Sequence, residues 1–68
     1  MYIDKNKVNL EMARQKITYK ELANRMGIHE TVPYHLLKAG RDLSPKTVGK
    51  IATALNVDPV EIVKQRSE

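Results

Sequence analysis

The sequence predicts an all-α domain of five short helices, and three observations carry this reading. Helix-capping residues recur at Asp4, Thr18, Ser44 and Asp58, the last two each followed by proline. Between those points the apolar residues fall at helical spacing. No stretch alternates apolar and polar residues as a half-buried strand would, and Tyr2-Ile3 is too short to decide.

Each element can be justified in order. Asp4 caps a first helix over about 5–16, with Val8 and Met12, and also Leu10 and Ala13, on its inner side. Thr18-Tyr19-Lys20-Glu21 is a capping box that opens a second helix over about 19–26. Leu22, Ala23 and Met26 face inward, and Gly27 supplies the left-handed residue that ends it. The third segment contains Pro33, which inside a helix would cost about 3 kcal/mol or more. At the first turn it costs little, and it biases Val32 away from the helical region. A late start near Val32 or Pro33 is therefore expected, with a helix to about Ala39 and an extended or turn-like entry over 28–32. Leu36 and Leu37 belong to the core. Ser44-Pro45 opens a fourth helix over about 45–55, with Val48, Ile51, Ala52 and Leu55 buried and Asn56 as its stop. Asp58-Pro59-Val60-Glu61 repeats the device and predicts a closing helix over about 59–65.

Composition narrows the function. At 68 residues the chain is expected to be one domain, 1–68. It has no cysteine, so no disulfide or thiolate metal site is available. No run approaches the roughly 20 apolar residues of a membrane span, and the opening MYIDKNKV lacks the apolar centre of a signal peptide. A soluble, cytoplasmic protein is expected. Lys and Arg number 12 against 8 Asp and Glu, a net charge of +4. Residues 1–55 carry ten basic and five acidic side chains, and the remainder two and three. A basic body suits an anionic partner, most simply nucleic acid.

Ile17-Thr18-Tyr19-Lys20-Glu21-Leu22-Ala23-Asn24-Arg25-Met26-Gly27-Ile28 resembles the XRE/Cro-type helix-turn-helix of bacterial and phage repressors. Ala23 lets two helices approach, Gly27 takes the turn four positions later, and Pro33 and Leu36 follow six and nine positions after the glycine. Ser44 to Val57 looks like that family's fourth helix and exit, and Asp58 to Ile62 like its closing helix, so the likeness spans about residues 5–65. The resemblance implies a five-helix, lambda-repressor-like DNA-binding bundle with its helix-turn-helix at about 18–39. It implies a third helix in the major groove and a second across the backbone. It also implies transcriptional repression in a bacterial or phage setting, with the protein nucleoid-associated when bound.

Carried over by position, the resemblance places base contacts at His29, Glu30, Thr31, Tyr34, His35 and Lys38. A neutral imidazole can donate to guanine or thymine, Glu30 can accept from cytosine N4, Thr31 and Val32 can meet a thymine methyl, and Lys38 can donate to guanine. Tyr19, Lys20, Arg41, Ser44, Lys46 and Thr47 surround helix starts and suit phosphate oxygens. The family usually carries Ser, Thr or Asn at position 29 and a branched apolar residue at 33. His29 and Pro33 depart from that pattern, as do Tyr34 and His35 beside them. The departures concentrate on the reading segment and suggest one reshaped, by selection or by engineering, for a different target. Double-stranded DNA is the expected partner. A homodimer through Val60, Ile62 and Val63, joined by Tyr2 and Ile3, or a monomer, remain open. So does an interaction or antitoxin-type use of the same motif. No enzyme, metal or cofactor is expected. His29 and His35 are six apart, not at the three- or four-residue spacing that would put two ligands on one helical face, and no glycine-rich phosphate loop exists.

Overall fold

The computed structural model describes residues 1–38 and 41–64. They form four α-helices: α1 (Lys5–Gln15), α2 (Tyr19–Met26), α3 (Val32–Leu36) and α4 (Pro45–Ala54). A short 3-10 turn, Pro59–Glu61, follows α4. α2 packs against both α3 and α4, and α4 packs against the closing turn.

Local chemistry sets most boundaries. The Asp4 carboxylate accepts from the backbone N–H of Asn6 at 3.1 Å and of Lys7 at 3.3 Å, starting α1. Thr18 Oγ1 accepts from Glu21 N at 3.3 Å, and Ser44 Oγ from Thr47 N at 3.2 Å. The Thr18 box is only half built, because the Glu21 carboxylate pairs with Arg25 at 3.6 Å along the same helix. Three helices end alike, on a residue with positive φ: Lys16 at 57°, Gly27 at 70° and Asn56 at 58°. At each, the following N–H reaches back five residues, as in Ile17 N to Met12 O, Ile28 N to Ala23 O and Val57 N to Ala52 O. Lys16 thus lies outside α1, where the sequence pattern had included it.

α3 starts late, as Pro33 requires, and Pro33 falls in its first turn. The start falls at Val32 and the entry takes the turn-like form of the two expected. Val32 is helical, and Thr31 before it has φ −86° and ψ −16°, so the entry is a turn rather than an extended segment. The Val32 N–H donates to the His29 carbonyl at 3.0 Å, and this bond outweighs the modest bias of a residue preceding proline. The helix also stops at Leu36, before the expected end at about Ala39, which lies outside the described residues.

The expected closing helix over about 59–65 is not formed in the described part. Asp58 Oδ1 accepts from Val60 N at 3.0 Å, and the Glu61 carboxylate accepts from Asp58 N at 3.3 Å, so the capping box is complete. The backbone groups beyond it are claimed by the N-terminal segment. Asp4 N donates to Ile62 O at 2.8 Å, Lys64 N donates to Tyr2 O at 2.9 Å, and Ile3 bridges Val63. On its other side Tyr2 bridges Asp42 and Leu43 N donates to Met1 O at 2.7 Å. The architecture is thus a four-helix arrangement closed by a turn and short backbone pairings, not a five-helix bundle.

The core gathers Ile3, Val8, Met12, Leu22, Leu37, Leu43, Val48, Ile51, Ala52, Leu55 and Ile62. Ala23 and Pro33 are also buried, while Met26 and Leu36 are half-buried against this core. Ala13 is exposed and Leu10 is 72% exposed, so neither belongs to the inner side of α1. Ile62 is 1% exposed and Val63 is half-buried, which removes Ile62 from any dimer patch and leaves Val60 as the outward residue of that trio.

A polar clasp fastens the C-terminus of α4. Gln15 Nε2 donates to the Leu55 carbonyl at 2.6 Å, and Gln15 Oε1 accepts from Arg25 at 2.7 Å. The same Arg25 nitrogen reaches the Ala54 carbonyl at 3.2 Å. Carbonyls left without helical partners are thereby satisfied by side chains from α1 and α2.

Two stability predictions follow from this geometry. Pro33→Val should give no gain in melting temperature, because proline fits the first turn; a rise of several degrees would mean that proline strains the helix. Gln15→Ala should cost about 1 kcal/mol for the lost bonds, or roughly 4–8 °C in melting temperature for a domain of this size. An unchanged calorimetric midpoint would show that the clasp contributes nothing.

Candidate nucleic-acid interface

The exposed side of α3 is set by what its other side buries. Pro33 and Leu37 are buried and Leu36 is half-buried against the core. Thr31, Tyr34, His35 and Lys38 are exposed, at positions i, i+3, i+4 and i+7. Tyr34 and His35 lie on the outer side of the helix, and Thr31 and Lys38 flank its two ends. His29 and Glu30 are exposed in the turn that leads into the helix.

The His29 Nδ1 accepts from Thr31 N at 3.2 Å and lies 3.0 Å from the Thr31 hydroxyl. The imidazole nitrogen thereby closes the turn that precedes α3, whose own N-cap is Thr31. With Nδ1 accepting, the proton of the neutral ring is assigned to Nε2. Thr31 makes no side-chain cap of its own.

Tyr34 is the centre of the exposed cluster and is 53% exposed. The Tyr19 ring meets it edge-on at 6.4 Å between centroids, and the His35 ring at 5.6 Å. The Lys5 and Lys38 ammonium groups each lie 6.0 Å from its centroid. Lys5 comes from α1, and so does Asn9, whose Oδ1 lies 3.5 Å from the Tyr19 hydroxyl. Neither residue stands out in the sequence. Their only advance signal is that Asp4 opens α1 beside them, and that does not say which way the helix points.

The remaining candidates divide by how free they are. Lys20, in the first turn of α2, and Lys46, in the first turn of α4, are exposed. Tyr19 is half-buried and packs on the core. Ser44 and Thr47 face each other, with hydroxyls 3.0 Å apart, at the start of α4. Arg41 donates to the His35 carbonyl at 3.4 Å, so one guanidinium nitrogen holds the end of α3. The structure therefore brings Tyr19, Tyr34, His35 and Lys38 into one cluster with Lys5, and pairs His29 with Thr31 in the turn before α3. Arg41 reaches the end of α3, and Ser44, Lys46 and Thr47 gather at the start of α4.

Residues 7–65 match the Cro/C1-type helix-turn-helix DNA-binding domain family. The chain belongs to that family. Among curated proteins, and among solved structures, none matches the chain significantly. Membership makes this a DNA-binding, helix-turn-helix domain, in the general setting of transcription regulation, and the family is normally non-enzymatic. Among the described residues no group of three or more His, Cys, Asp or Glu could hold a metal ion, and no helix is long and apolar enough to cross a membrane.

The His29 turn yields a test on folding alone. His29→Ala should lower the melting temperature by a few degrees, whereas His29→Asn, which keeps a side-chain acceptor, should retain most of it. Equal melting of the two variants by circular dichroism would show that the ring does not steady the turn before α3.

Proposed function

We propose that this chain is a single domain, 1–68, that binds double-stranded DNA in a sequence-specific way and regulates transcription by occupancy, as a repressor. The observation that supports this most directly is the single exposed face of α3, rimmed by cations and held outward by Pro33 and Leu37. In this reading α3 lies in the major groove and α2 crosses the backbone. The setting is cytoplasmic and nucleoid-associated. The unusual His29, Pro33 and His35 mark a reading segment shaped, by selection or engineering, for its own target.

Each residue then has a chemical role. With Nδ1 engaged, His29 offers Nε2–H to guanine N7 or O6, or to thymine O4. Glu30 accepts from a cytosine N4 amine. The Thr31 hydroxyl faces His29, which leaves its methyl for a thymine methyl. His35 and Lys38 donate to guanine edges, and Lys38 also suits a phosphate. Tyr34 meets a sugar or phosphate. Lys20, Lys46 and the free part of Arg41 bind phosphates at the starts of α2 and α4, joined by the hydroxyls of Tyr19, Ser44 and Thr47. Lys5 joins this backbone group from α1, because it shares the Tyr34 ring with Lys38.

Duplexes selected from a randomised pool supply the preferred site for the test. His35→Ala should weaken that site roughly tenfold or more and random DNA far less. Lys20→Ala and Lys46→Ala should weaken both alike, each flattening the dependence of log K on log salt by about 0.9. If all three variants bind the selected site as the parent does, these faces are misassigned. Binding that is indifferent to salt would instead favour a protein-interaction role.

A further inference from the structure

Gly49 lies inside α4, where glycine is a poor helix former. Nothing among the described residues requires it. Its φ is not positive, and a Cβ built there would meet no atom within 4 Å. The missing side chain instead opens a groove of about 470 Å³ between α2 and α4. Met26, Gly49 and Thr53 line it, together with the cations Arg25, Lys46 and Lys50. Arg25 is paired with Glu21, whereas Lys46 and Lys50 are exposed. The groove thus joins an apolar floor to a positive rim, at a point where another backbone can come close to α4.

The same chain carries a surface of matching chemistry. Asp58, Pro59, Val60 and Glu61 are all exposed, and Val60 is 55% exposed. The capping box holds this turn rigid and places Val60 between two carboxylates. A preformed tip loses little freedom on docking. We propose that the Asp58–Glu61 turn of a second copy of this chain docks in the groove between α2 and α4, with Val60 over Gly49 and the carboxylates against Lys46 and Lys50. On α2 the groove uses the last turn and the proposed DNA face the first, about 10 Å away along an eight-residue helix, whereas on α4 the two share Lys46, so docking and phosphate binding compete there. This contact differs from pairing one closing segment with another, because it joins two unlike surfaces.

Sedimentation of the full chain without DNA tests this independently of DNA binding. A contact this small should be weak, so concentrations up to about 1 mM are needed. The parent should associate reversibly. Lys50→Glu alone and Glu61→Lys alone should each reduce association about tenfold or more, since each sets like charges together. An equimolar mixture of the two should recover association, because each groove then meets a tip of opposite charge. Gly49→Leu should fill the groove and abolish association while raising the melting temperature, which separates lost docking from lost folding. A parent that stays monomeric throughout overturns the proposal. So does association that survives Gly49→Leu, or folded charge variants that fail to recover on mixing.

Discussion

The burial of Pro33 and Leu37 is the constraint on which the functional surface depends. α3 has only five residues, so it has little internal stability and takes its orientation from what it packs against. Proline fixes its own φ near the helical value and has no N–H to satisfy, which makes the first turn the one place in the helix where it fits without cost. With Pro33 and Leu37 pressed into the core, Thr31, Tyr34, His35 and Lys38 have no direction left but outward. The residue that looked like a defect in the segment is what aims it.

Much of the fold was legible because its boundaries are local events. Thr18, Gly27, Ser44 and Asn56 each act through bonds to backbone a few residues away, and each does what its type and position implied. Where long-range pairing competes, the sequence pattern misleads. Asp58-Pro59 does nucleate a turn, but Ile62 and Lys64 give their backbone groups to Asp4 and Tyr2, and the helix goes no further. Leu10 failed for a different reason. An apolar residue on a short helix can simply be exposed, and two buried positions, Val8 and Met12, already satisfy the inner side of α1. Lys16 adopts a left-handed conformation that nothing about lysine announces.

The candidate site divides along the same line. Which residues share the exposed face of α3 follows from helical period once Pro33 sets the start. Whether a polar group is free cannot be read that way. Ser44 and Thr47 spend hydrogen-bonding capacity on each other, and Arg41 spends part of its guanidinium on the His35 carbonyl. Conversely, Lys5 and Asn9 join the cluster through side chains that reach from α1 to Tyr34 and Tyr19, a tertiary fact with no local signature.

On the proposed placement of α3 in the major groove, its shortness shifts the balance between specificity and affinity. Five residues at 1.5 Å each make a helix about 7.5 Å long, little more than two base-pair steps of B-DNA at 3.4 Å. Few base edges lie within its reach, and the turn at His29–Thr31 has to supply part of the reading surface. On that proposal affinity comes largely from the backbone, with Lys5, Lys20, Lys38 and Lys46 spread over three helices and the end of α3. The Tyr34 ring attracts both the Lys5 and the Lys38 ammonium groups, so one exposed aromatic side chain gathers positive charge from α1 and from the end of α3.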